Sequence, residues 1–298
     1  MVTQPGPSSS NSAAAPNYLD FLCDLQLFSP PSSVLRFGLF FQLAMTETSS
    51  RSFDHAKAHE HLTRADKRLA KLIPKCEVFA LEIEEAQTPY EALLEAITHQ
   101  SISGKAAATI FARIKKLGTD GRCPTPHQIL AASDQILREA GLSYAKAASM
   151  KDLAQKTVEG IVPTLEEAHA LSDEELVARL ISVRGIGAWT VEMFLIFRLG
   201  RPDVLPIHDY GVQKGFALTY GKKVIPKPRE LAAFGERWRP YRTVASWYMW
   251  RAVEVYGKTR KLTKTTGKKR KNTKKSAAAR PTKRPATKKK SAGKKRKR

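Results

Sequence analysis

The chain has 298 residues with 42% hydrophobic content, enough for one large or two small domains with a sizeable core. The net charge of +23 is unevenly placed: residues 258–298 hold 21 Lys or Arg and no acid, leaving 30 basic against 28 acidic residues in 1–257. Three scattered cysteines, Cys23, Cys76 and Cys123, exclude a disulfide framework and a four-cysteine iron–sulfur cluster, and fit a reducing compartment.

Residues 1–50 begin rich in Ser, Pro and Ala and read as disordered. The apolar run from Val34 to Met45 is 12 residues long and contains Arg36 and Gln42, too short to span a bilayer, and no secretory signal precedes it. Met45 is an alternative start, which the intact mass of the native protein would settle. From about Phe53 to Ile73 the pattern predicts a polar helix. Its His55 and His59 have metal-ligand spacing but no third ligand, so a solvated face is the reading.

Thr88-Pro89-Tyr90-Glu91 combines a cap, a proline in the first turn and a closing glutamate, and predicts a helix ending near His99-Gln100. Ser103 caps a second helix, which stops at Gly118. Short helices at about 126–131 and 133–140 follow, then Gly141-Leu142 and a helix over about 144–159. Ser172 and Glu175 form another capping box. Leu176, Leu180 and Val183 recur at helical spacing until Gly185-Ile186-Gly187, where the two glycines permit a tight turn. A helix from Trp189 to about Leu199 buries Val191, Phe194 and Leu195. The turn Arg201-Pro202-Asp203 leads through Leu205-Pro206-Ile207-His208 to Asp209 at the start of another helix. The last helix, about 238–256, is aromatic: Tyr241, Trp247, Tyr248, Trp250 and Tyr256 follow Trp238. No stretch alternates with period two, so the chain reads as all-α, and 258–298 reads as a disordered basic arm.

The hairpin GIGAWT, followed about twenty residues later by LPIHDYGVQKG, resembles the helix-hairpin-helix DNA glycosylases. The Trp after the hairpin and the RPDVLP spacer resemble the 3-methyladenine DNA glycosylase II type, over about residues 60–256. The resemblance implies a two-lobed all-α glycosylase domain over 51–257, with the helix-hairpin-helix at about 173–199 and a cleft between the lobes. Some members open with an antiparallel β domain; the N-terminal region here reads as too short and too polar for one. The implied reaction is hydrolytic release of alkylated purines, 3-methyladenine and 7-methylguanine, from duplex DNA, as the first step of base excision repair; it requires no cofactor.

In such a reaction a carboxylate stabilises the oxocarbenium character of the sugar as the base leaves. Asp209 matches that residue by position; its other reading is a helix N-cap. Trp189, Tyr210 and Trp250 are the expected walls of a pocket for a cationic base. Bifunctional members carry a Lys where Trp189 stands, so no strand nicking is expected. Arg184, Gly185, Ile186, Gly187 and Thr190 are expected to meet DNA phosphates. The carbonyls of Ile181, Val183 and Ile186 match those holding a monovalent cation in the family. Gln100 and Leu142 match the residues that fill the gap left by the extruded base, Leu142 having as its alternative the apolar contact that follows a helix-ending Gly. A second Asp often stands where His208 stands. Oxidised or mismatched bases as substrates, and a non-catalytic DNA-binding module, are the rival readings. The expected partners are damaged duplex DNA and, for the tail, DNA phosphates, with a nuclear address as the tail's other reading. A monomer is expected, DNA-associated within the cell, with no membrane contact.

Overall fold

The computed structural model describes residues 54–259, apart from 82, 84–86 and 120, together with Leu262. The expected extension 1–50 and nearly all of the tail lie outside these residues. Among the described residues there is no strand.

The helices fall into two groups by their packing. The chain enters with α1 (His55–Ala65), the short α2 (Leu69–Leu72) and a 3₁₀ turn. It then builds a first lobe from α3 (Pro89–His99), α4 (Gly104–Lys115), α5 (Pro126–Ala131), α6 (Asp134–Glu139), α7 (Tyr144–Val158), α8 (Leu165–Ala170), α9 (Asp173–Leu180) and α10 (Ala188–Phe197). Here α7 packs on α3, α5 and α6, while α10 packs on α9 and α3. The chain returns through α11 (Tyr210–Thr219), α12 (Pro228–Gly235) and α13 (Arg242–Gly257). These pack on one another and on α1 and α2, forming the second lobe. The chain thus crosses between lobes twice, and the second crossing, 198–209, carries Asp209.

The expected capping boxes are present at Thr88/Glu91 and Ser172/Glu175, and each satisfies two otherwise orphaned amides at a helix start. A third, Thr164/Glu167, starts α8, a helix the apolar periodicity did not signal. The single polar helix expected over 53–73 is instead two. Asp66 ends α1, and its Oδ1 accepts from the amides of Arg68 and Leu69 at 2.9 and 3.2 Å, which starts the chain in a new direction. The long aromatic helix begins later than expected, at Arg242, after a 3₁₀ turn at Glu236–Trp238.

The crossing segment is tied to the start of α13. Thr243 Oγ1 donates to the Arg201 carbonyl at 2.6 Å and accepts from the Val204 amide at 3.0 Å, and the Thr243 amide donates to the Pro202 carbonyl at 3.0 Å. The Asp203 carboxylate takes Arg242 Nε at 2.7 Å and Arg239 Nη1 at 2.6 Å. Six residues past Asp209, Gly215 lets α11 meet α13 backbone to backbone: a Cβ there would stand 1.7 Å from the Met249 carbonyl oxygen. These two anchors bring the start of α11 against Trp250, about two turns along α13 from Thr243.

Candidate active site and DNA interface

Asp209 is 5% exposed and is the N-cap of α11, as one of its two sequence readings has it. Its Oδ1 accepts from the Val212 amide at 2.7 Å and from Trp250 Nε1 at 2.8 Å, and its Oδ2 accepts from Trp189 Nε1 at 2.8 Å. All three partners are N–H donors, the pairing of an ionised, acceptor-only carboxylate. One donor comes from each of three helices, α10, α11 and α13, so the position of the carboxylate is fixed from both lobes.

This geometry redistributes the expected pocket walls. Trp250 is 1% exposed and stacks on Phe197 at 5.8 Å between ring centroids, so it is a buried support for Asp209 and presents no open face to a base. Trp189 is half-buried, with its N–H edge on Asp209. Tyr210 is 42% exposed beside Asp209, with Lys214 Nζ 6.0 Å from its ring centre. His208 is exposed.

One group here was not singled out from the sequence. Glu192 lies about one turn past Trp189 on α10, inside an apolar run. Burial, together with the like charge of Asp209, pushes its carboxyl up to about 7. Its Oε2 is enclosed and has no hydrogen-bond partner.

The hairpin is held from below. Burial alone would raise the Asp152 carboxyl, but the Arg184 amide and the Lys156 ammonium outweigh it and hold it below its ordinary value. Its Oδ2 accepts from Arg184 N at 2.7 Å and from Lys156 Nζ at 2.8 Å, and Lys156 also donates to the Ser182 carbonyl. Gly185 turns at φ +79°, and a Cβ there would come within 2.7 Å of Ser149 Oγ. Gly187 caps α10 without a side-chain bond, and nothing lies within 4 Å of where its Cβ would be. No side chain therefore caps the first amides of α10, and such an uncapped helix start is an arrangement that accepts an anion. Ile186 is 5% exposed and can offer only its backbone. The Val183 carbonyl accepts from the Ile186 amide at 3.0 Å. Ile181, the third residue of the expected cation set, is 47% exposed.

Three expected DNA contacts are placed differently. Gln100 ends α3, and its Nε2 donates to the Gly185 carbonyl at 2.9 Å, fastening the loop to the hairpin. The next residue, Ser101, has φ +58°, a left-handed conformation rare for a residue with a Cβ, which puts a sharp tip on that loop. Leu142 is 1% exposed, and its amide bonds back to the Leu137 carbonyl at 3.3 Å after Gly141 at φ +108°. It makes the apolar contact that closes a helix end and is unavailable to DNA in this conformation. Thr190 is 9% exposed and faces the core of its helix.

A buried carboxylate fixed by two indoles thus stands on the helix that follows the crossing, beside the uncapped start of α10. The sequence profile of the HhH-GPD superfamily of base excision DNA repair proteins matches residues 94–240. Over 202 residues, the chain is 39% identical to DNA-3-methyladenine glycosylase 1 of Schizosaccharomyces pombe, covering 67% of this chain and 88% of that protein. The solved structure of S. pombe 3-methyladenine DNA glycosylase in complex with abasic DNA superposes with TM-score 0.60 at 38% identity, over 66% of this chain and 97% of that one. A DNA-3-methyladenine glycosidase from Bacillus halodurans gives TM-score 0.62 at 30% identity, over 73% and 95%. The chain belongs to the HhH-GPD superfamily of base excision DNA repair proteins.

Proposed function

We propose that the chain is a monofunctional DNA glycosylase of the 3-methyladenine II type, releasing alkylated purines such as 3-methyladenine and 7-methylguanine from duplex DNA. The observation that carries the reading is the Asp209 carboxylate, held by Trp189, Trp250 and Val212 from three helices. A phosphate-binding module needs no such group. With the base extruded, Asp209 faces the sugar. As the C1′–N bond lengthens, the fixed negative charge stabilises the oxocarbenium ion and orients water for attack. A cationic purine leaves without help from a strong acid. Tyr210 and the exposed part of Trp189 offer it aromatic surface. The indole at Trp189 cannot form a Schiff base, so the strand stays intact.

The start of α10 at Gly187, uncapped by any side chain, and exposed Arg184 beside it hold the backbone phosphates. The reaction uses water and no cofactor. We assign the 258–298 tail a sequence-independent, salt-sensitive contribution to DNA affinity. The protein works as a monomer wherever the cell keeps its DNA; among the described residues no helix is long and apolar enough to cross a membrane.

The test is base release from methylated duplex DNA, with strand cleavage scored separately before and after alkali. The expected result is free 3-methyladenine and 7-methylguanine, with strands intact until alkali. Strand breaks before alkali would refute the monofunctional reading, and absence of enzyme-dependent release would refute the substrate.

A further inference from the structure

We propose that Glu192 is a second catalytic carboxyl of this site, a proton donor to leaving bases that carry no charge of their own. The inference rests on the glycosylase reading above and extends it. Three observations place Glu192 there. It follows Trp189 by three residues, and positions i and i+3 share a helix face, so it lies on the side of α10 that holds Asp209. Its Oε2 is enclosed yet meets no hydrogen-bond partner, which is costly for a polar atom unless something outside the protein completes it. The charge that reaches it is the like charge of Asp209.

The surrounding elements leave the pair uncompensated. From α11 comes Asp209 itself, with His208 exposed before it. From α3 come His99 and Glu95, and Glu95 is paired at 3.4 Å with Arg198, the residue that ends α10. The two carboxyls of the site thus have opposite settings. Asp209 is surrounded by N–H donors that suit its ionised form. Glu192 is enclosed, faces a like charge, and retains its proton to about pH 7. Two acids with environments that separate their protonation states are the arrangement by which one site supplies both an anion and a proton.

Glu192 transfers its proton to a ring nitrogen of the base while the C1′–N bond breaks and its electron pair passes to the base. Water then adds to C1′, and its proton passes to Asp209 and on to solvent. Glu192 is reprotonated from solvent. An alkylated purine already carries a positive charge and leaves without this proton. An uncharged purine does not.

The test uses the full chain and duplexes carrying a single 7-methylguanine, hypoxanthine or 1,N6-ethenoadenine, with single-turnover release followed from pH 5.5 to 9. For the two uncharged bases, wild-type release should fall about tenfold per pH unit above about pH 7, while 7-methylguanine release lacks that limb. In Glu192→Gln, release of the uncharged bases should drop about 10²-fold at pH 6 and lose its alkaline limb, while 7-methylguanine release stays within about threefold. Equal losses on all three bases would assign Glu192 a structural role and overturn the proposal. So would a wild-type profile without the limb, which needs no variant to observe. Wild-type release of 7-methylguanine but of neither uncharged base would overturn it as well. Release of none of the three would overturn the glycosylase reading itself.

Discussion

Asp66 and Asp209 are built alike and serve different ends. Both are buried, at 4% and 5% exposure, both cap a helix boundary with a carboxylate oxygen, and both draw aromatic donors from distant parts of the chain. Asp66 receives four donors: the Arg68 and Leu69 amides on Oδ1, and Tyr220 Oη and Trp238 Nε1 on Oδ2. Rings of Phe216, Tyr220, Phe234 and Trp238 close around it, with neighbouring centroids 4.4 to 6.2 Å apart. A carboxylate has about four acceptor sites, and those of Asp66 are filled. Asp209 receives three donors, next to exposed Tyr210 and His208, and its charge reaches Glu192. A saturated carboxylate locks helices together; one short of saturation, beside exposed side chains, keeps a lone pair for chemistry.

The sharpest way to break this comparison is to neutralise the saturated member. Asp66→Asn leaves an amide facing donors, and should cost about 3 kcal/mol of stability by denaturant melts while base release per folded molecule stays unchanged. A large loss of turnover in the folded fraction would show that Asp66 shares the work of Asp209. Next, each carboxylate can lose one indole. Trp238→Phe should cost about 2 kcal/mol of stability with little effect on release, whereas Trp250→Phe should lower release about 10- to 50-fold with a smaller stability change. Similar effects from both would erase the distinction.

Glu192 offers a pH-resolved version. Its folded value is raised from 4.5 to about 7, so the folded state holds a proton that the unfolded state has lost. Its penalty is absent below about pH 4.5, grows through pH 5–7 and is complete above. Glu192→Gln should therefore melt like wild type at pH 4.5 and be more stable by about 2–3 kcal/mol at pH 8. Equal stability at both would mean that Glu192 is not strained by its burial beside Asp209. The smallest effect is expected at Gln100. Losing its bond to the Gly185 carbonyl should cost about 1 kcal/mol in Gln100→Ala, read as weaker binding to an abasic duplex, without a change in which bases are released.

The elements around Asp209 were legible because their signals are local. Ser172 and Glu175 are three residues apart, Gly185 and Gly187 two, and Asp209 caps the helix it precedes. The Thr164/Glu167 box carried the same signal, but α8 is one and a half turns long and has too short a periodic face to draw notice. What sequence could not supply were pairings across the chain. Trp189 and Trp250 were recognised by resemblance as pocket walls, yet nothing local says that both indole N–H groups, 20 and 41 residues away, converge on one carboxylate. Asp66 hid for the same reason, since Trp238 is 172 residues distant. Glu192 was hidden by its setting: a single acid in an apolar helix reads as a tolerated surface position until its burial and its neighbour are known.

The most direct test is release of 7-methylguanine from duplex DNA by Asp209→Asn, measured beside the melting curve and the affinity for an abasic duplex. A fall of about 10³-fold in release per folded molecule, with binding close to wild type and melting lowered no more than by Asp66→Asn, is the predicted result. Release at the wild-type rate would contradict the account, leaving Asp209 as a helix cap and nothing more.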